Sequence, residues 1–112
     1  MKSLIGLGLF LSVVGYAAQG ETILLDVRTQ DEWKEKHLTN EVYDFKDPGF
    51  KEKISKLDRT KHYQLFCRSG NRSGQAVKVM KDMGFSRVES IGSLEEAQTK
   101  TGKSCVGPAC AK

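Results

Sequence analysis

The sequence predicts an α/β domain with a mostly parallel central sheet and helices on both faces. Three observations lead there. Runs of strand length at residues 22–27, 41–45, 62–66 and 87–91 alternate with segments whose apolar residues recur at helical spacing. The links between them are short, and no Asn-Gly or Asp-Gly hairpin dipeptide joins two strands. With 112 residues, the chain is sized for one small domain.

Residues 1–20 stand apart from that domain. Lys2 precedes an apolar run over residues 4–16, too short to span a bilayer, and Ala17, Ala18 and Gly20 follow it. This is the form of a cleavable secretory signal peptide, with cleavage after Ala17 or after Gly20. Gly6, Gly8 and Gly15 weigh against a buried helix, since each costs a helix interior about 1 kcal/mol relative to alanine. No cysteine stands there to carry a lipid anchor. The expectation is a mature protein beginning near Glu21, soluble in the periplasm and free of the membrane after cleavage. Residues 21–104 would form the domain and 105–112 a tail.

Residues 22–27 read as a buried strand. Thr29 and Glu32 have the spacing of a capping box, so a helix follows, with Trp33 and Leu38 on its apolar side. A second strand is expected over 41–45. Asp47-Pro48 then opens a helix carrying Phe50, Ile54 and Leu57. After the strand at 62–66 come Cys67 and seven small or polar residues, 68–74, and then a helix with Ala76, Val79, Met80 and Met83 at i, i+3, i+4 and i+7. Gly84 fits its C-terminal cap, residues 87–91 a further strand, and Ser93 with Glu96 a second capping box opening a helix that ends by Gly102.

Cys67 is the residue this order serves. It ends a strand at the foot of a helix, where loop and helix amides converge and favour an anion. A thiol placed there ionises more readily, and the thiolate is the nucleophile. Arg68 and Arg72 add guanidinium forks suited to oxyanions. In an open α/β sheet the ligand site lies beyond the carboxyl ends of the strands, which is where Cys67 falls. His37 and His62 lack the neighbours a metal site needs and read as structural or exposed, so neither metal nor organic cofactor is expected.

Residues 67–72, CRSGNR, resemble the six-residue active-site loop of the rhodaneses, the thiosulfate sulfurtransferases. Leu24-Leu25-Asp26-Val27-Arg28 with Glu32-Trp33 is similar to that family's opening strand and helix, and Gly84-Phe85 with Val88 to its later strand. The likeness runs from about Ile23 to Leu94 and is nearest to small single-domain periplasmic members of the phage-shock type. Lys36 and Ser93 stand where the family pattern carries glycine. The resemblance implies a rhodanese-like fold and a persulfide on Cys67. It implies a loop of Arg68, Ser69, Gly70, Asn71 and Arg72 around the sulfur donor, with Asp26 at the same edge to orient the loop or meet substrate. Thiosulfate or a similar anion would be the donor and cyanide or a thiol the acceptor. A scaffold ion pair is the competing role for Asp26, and Arg28 is expected to pair with Glu32 or its neighbours.

Two other classes share a cysteine loop. A phosphatase-like enzyme places five residues between cysteine and arginine, which would need arginine at position 73; that residue is Ser73, and Arg72 makes a loop one residue shorter. A non-catalytic redox module would use Cys67 only as a sensor. The formal charge of +4 becomes +3 without residues 1–20, from 17 basic against 14 acidic side chains. That modest, interspersed excess carries no basic–aromatic stripe, so nucleic acid is not an expected partner. An exported chain favours a disulfide between Cys105 and Cys110 across Val106-Gly107-Pro108-Ala109, leaving Cys67 free.

Overall fold

The structure, a computed structural model, describes residues 22–110; the signal-peptide expectation falls on residues outside that range. Strands β1 (Thr22–Asp26), β2 (His62–Cys67) and β3 (Val88–Ser93) form one sheet in the order β1-β2-β3, and both pairings are parallel. Helices α1 (Gln30–Glu35), α2 (Phe50–Ser55), α3 (Asn71–Asp82) and α4 (Leu94–Thr101) connect and follow them. Side chains alternate across each strand, so the sheet has two apolar faces. Leu25, Val27, Tyr63, Leu65 and Cys67 pack with Phe50, Ile54, Ala76, Met80 and Phe85 on one face. On the other, Phe66 packs with Ile91, Leu94 and Ala97, and Leu24 and Leu38 close against them. This is the predicted α/β class, with α2 and α3 on one face and α4 on the other.

The segment expected as a second strand, 41–45, is instead an isolated parallel bridge between Asp26 and Val42. Tyr43 N–H donates to Asp26 O at 2.7 Å and Phe45 N–H to Val27 O at 3.2 Å. The chain then turns at Asp44, whose carboxylate takes Lys46 N–H at 2.9 Å and whose carbonyl takes Asp47 N–H at 3.1 Å. An Asx turn that intercepts these amides ends the pairing after two bonds.

The capping signals hold and one helix extends further than its apolar pattern, whereas the helix expected to open at Asp47-Pro48 begins only at Phe50, with Gly49 as its N-cap, and ends at Ser55 before Leu57. Both capping boxes form, Thr29 with Glu32 and Ser93 with Glu96. Ser93, lacking the glycine of the resembled pattern, is thereby the cap of α4. Lys36 sits in extended backbone at φ −163°, which any residue adopts. At the end of α3, Gly84 N–H donates to Lys81 O at 3.0 Å and Phe85 N–H to Met80 O at 3.1 Å. That is a Schellman motif, its left-handed position filled by Gly84 at φ +102° and its apolar contact by Phe85 and Met80. The start of α3 lies at Asn71, five residues before Ala76, so most of the segment read as loop is the helix's first turn.

The tail docks onto the end of α1. Cys105 and Cys110 form a disulfide with Cα atoms 5.9 Å apart, and Cys67 is the free cysteine. Val106 and His37 exchange backbone bonds of 2.9 and 2.8 Å, and Ala109 N–H donates to Glu35 O at 2.9 Å. His37 in turn stacks on Trp33 at 3.8 Å between ring centroids. Replacing Cys105 and Cys110 together by serine is expected to cost about 2 kcal/mol, the loop-closure entropy of so short a ring. A urea midpoint equal to that of the wild type would count against it.

Candidate active site

Cys67 ends β2 with 0% of its surface exposed. Beyond it the backbone curls through Gly70, which adopts φ +98°, a left-handed conformation that glycine enters without a Cβ penalty. That reversal turns Gly70 N–H back toward the sulfur, and the first turn of α3 brings up Ser73. Gly70 N–H donates to Cys67 Sγ at 2.9 Å and Ser73 N–H donates to it at 3.4 Å. The Ser73 hydroxyl lies 3.6 Å from Sγ. Burial alone pushes the thiol's pKa up. The Ser73 amide and hydroxyl and the Gly70 and Ser69 amides pull it down further, so Cys67 ionises more readily than an ordinary cysteine.

A bulge in the neighbouring strand fits this loop. Leu65 pairs with Ser90 but Cys67 with Ser93, so β3 carries one extra residue there. The extra residue brings the Gly92 backbone against Gly70: a Cβ built on Gly70 would lie 3.5 Å from Gly92 Cα. On the side of α3, Ser73 Oγ and Ser90 Oγ are 2.7 Å apart.

The two arginines of the loop have different situations. Arg72 makes a bidentate pair with Glu32, at 2.8 and 3.1 Å. The Arg72 hydrogen bond outweighs the cost of Glu32's partial burial and holds that carboxyl's pKa at about 2. The pair ties the active loop to α1. Arg68 is exposed and has no partner among the described residues. It lines a cleft of about 370 Å³ with Arg28, Glu32, Glu35, Lys36, Leu94, Glu95 and the tail's Ala109. Ser69 is exposed, and Asn71 Oδ1 accepts from Gln75 Nε2 at 3.1 Å within α3. A larger cleft of about 490 Å³, lined by Thr22, Ile23, Leu38 and Gln64, lies at the amino ends of β1 and β2. Its lining residue Gln64 is three residues before Cys67 on β2, about 10 Å at the usual rise, with its side chain alternating to the other face.

Asp26 is fully buried at the carboxyl end of β1, and its carboxylate is taken up by Arg28. The Arg28 guanidinium donates to it at 2.7, 2.9 and 3.1 Å, and Arg28 N–H donates at 2.9 Å. Arg28 also reaches the Lys36 carbonyl at 2.6 Å. The expected pairing of Arg28 with Glu32 or its neighbours is met only at the backbone, where Arg28 Nη1 donates to Glu32 O at 3.4 Å; the turn after β1 folds the guanidinium back on Asp26 as its ion-pair partner, and the Glu32 carboxylate faces the loop and Arg72. Sequence reasoning placed Cys67 and its loop together but missed the Glu32–Arg72 tie and the serine pair. Ser73 was legible in principle, since 73, 76 and 80 share the buried face of α3.

A family model described as a rhodanese-like domain matches residues 15–99. Among curated proteins, the chain is 28% identical over 97 residues to thiosulfate sulfurtransferase PspE of Escherichia coli strain K12, covering 85% of this chain and 89% of that one. YtwF of Bacillus subtilis strain 168 is 34% identical over 85 residues, covering 74% and 82% of the two chains. Among solved structures, a rhodanese-related protein of Thermoplasma volcanium superposes with a TM-score of 0.61 at 27% identity, over 81% of this chain and 89% of that one.

Proposed function

This chain belongs to the rhodanese family, and on that premise we propose that it is a sulfurtransferase that carries sulfane sulfur on Cys67, with thiosulfate as its donor. The observation that carries the proposal is the Cys67 sulfur held by loop amides at the end of a parallel strand, its pKa lowered despite complete burial. A nucleophile that must exist as an anion, and must pass a charged sulfur onward, is served by donors fixed in advance.

The Cys67 thiolate attacks the outer sulfur of thiosulfate. A bond forms between the two sulfurs, the bond to the sulfonate sulfur breaks with its electron pair, and sulfite leaves with both of its negative charges. The persulfide anion that remains is stabilised by the loop amides. Arg68, exposed and unpaired among the described residues, is the cation available to the donor's sulfonate. Arg72, committed to Glu32, acts by holding the loop and by its charge. Because the resting thiol is covered, residues over it must shift to admit the donor. Cyanide or a thiolate then attacks the outer persulfide sulfur, takes it, and releases Cys67 as thiolate.

Export is part of the same proposal, with residues 1–20 as a signal peptide and the periplasm as the working compartment, which suits the Cys105–Cys110 disulfide. Intact-mass measurement on protein recovered from the periplasm without reductant tests these points together. The expected species lacks 17 to 20 N-terminal residues, is two hydrogens lighter than the reduced chain, and gains one sulfur atom on Cys67 with thiosulfate. Recovery of the protein only from the cytosol, with Met1 retained, would remove the export claim. Absence of the added sulfur with thiosulfate but its presence with a persulfide donor would change the donor alone, and its absence with both would remove the function.

A further inference from the structure

We propose that Ser90 is a positioning residue for Cys67: with Ser73 it forms a two-hydroxyl relay that takes the thiol proton out of the core and then holds the thiolate. Cys67 and Ser73 are both fully buried, whereas Ser90 is an exposed residue of β3. The sulfur is 3.6 Å from Ser73 Oγ, which is 2.7 Å from Ser90 Oγ. A continuous line of hydrogen bonds therefore joins a sulfur closed off from solvent to a residue that meets it.

The proton count follows from this geometry. In the thiol state Cys67 S–H donates to Ser73 Oγ, Ser73 O–H donates to Ser90 Oγ, and Ser90 O–H faces water. On ionisation the thiol proton passes to Ser73 Oγ, the proton of Ser73 passes to Ser90 Oγ, and the proton of Ser90 passes to solvent base. Both hydroxyls end neutral, and each points back the way its proton came. Ser73 O–H then donates to the thiolate, and Ser90 O–H donates to Ser73, which makes Ser73 a stronger donor. Gly70 O, 3.1 Å from Ser73 Oγ, competes for the Ser73 proton even with Ser90 in place and also takes Gly74 N–H at 3.0 Å; without Ser90 that competition is unopposed.

The charged groups around this line are already engaged or lie outside it. Arg72 of α3 faces the thiol with Glu32 of α1 as its partner and the charge of Asp44 beyond. Arg68 stands on the exposed loop. Glu89 of β3 is bound to His62 and Gln64, on the face opposite Ser90.

The test is the pH dependence of Cys67 alkylation by iodoacetamide in the full chain with its disulfide intact, where Cys67 is the free thiol. Ser90→Val and Ser90→Thr share a shape and differ in the hydroxyl, and both suit a strand. Ser90→Val is expected to lower the thiolate fraction below the midpoint by roughly two- to tenfold, the worth of one neutral hydrogen bond, and so to move the profile to higher pH. Ser90→Thr should keep the wild-type profile. Ser90→Ala repeats the loss in a smaller side chain, with urea midpoints confirming the fold. A Ser90→Ala or Ser90→Val profile that overlays the wild type overturns the proposal, as does a Ser90→Thr profile shifted as far as that of valine. The inference rests on Cys67 as the reacting thiol, yet alkylation needs no sulfur donor, so failure of the sulfur-transfer reading would leave this measurement interpretable.

Discussion

Cys67→Ser is expected to abolish sulfur transfer while leaving the domain folded. A serine oxygen is nearly isosteric with the thiol and can accept the same bonds from Gly70 and Ser73, so the loop keeps its shape. It cannot form a persulfide, and its hydroxyl does not ionise near neutral pH. Arg72→Ala should behave differently, because the nucleophile survives while the tie to Glu32 and one positive charge beside the sulfur are lost. Its kcat/KM for thiosulfate should fall by about 1.5–3 kcal/mol of transition-state stabilisation, the range for a charged hydrogen bond. Sulfite release at varied thiosulfate, with circular dichroism on each variant, separates these outcomes. Turnover by a folded Cys67→Ser protein would place the nucleophile elsewhere and end the mechanism proposed above.

What was legible in the chain divides along physical lines. The parallel α/β class, both capping boxes and the Schellman end of α3 are written in short-range patterns that tertiary context reinforces, and all of them form. Cys67 was found because a reactive thiol needs a particular backbone around it, and a strand end followed by small and polar residues advertises that backbone. The bridge at Val42 was overread as a strand, since alternation in 41–45 does not reveal that the Asp44 side chain will take the next amide. The helix start at Asn71 was missed for the opposite reason: its first turn is polar because it faces the site, so the apolar period begins only at Ala76. Long-range partners were the least legible. Glu32 had a sufficient local explanation as a cap, and nothing in the sequence says that the same carboxylate meets Arg72, 40 positions away.

Arg28→Ala is expected to cost stability rather than chemistry, about 3–5 kcal/mol, because it strands a buried carboxylate. Asp26 has no exposed surface and Arg28 only 3%. With the guanidinium gone, Asp26 would keep the Arg28 backbone N–H as its one donor from that residue, and the Lys36 carbonyl would lose its 2.6 Å bond. Removing one member of a buried ion pair typically has a cost of this size, whereas replacing both by apolar side chains of similar volume is often close to neutral. The double variant Asp26→Leu with Arg28→Met should therefore recover much of the stability lost in Arg28→Ala, as read from urea midpoints at a shared slope. The same double variant decides what Asp26 does. A scaffold role predicts that a stable double variant still forms the Cys67 persulfide from thiosulfate at a similar rate, while a role at the substrate predicts a folded protein with that step lost. A loss below about 1 kcal/mol in Arg28→Ala would mean that water reaches the carboxylate once the guanidinium is removed, and that the pair does not brace the turn between β1 and α1.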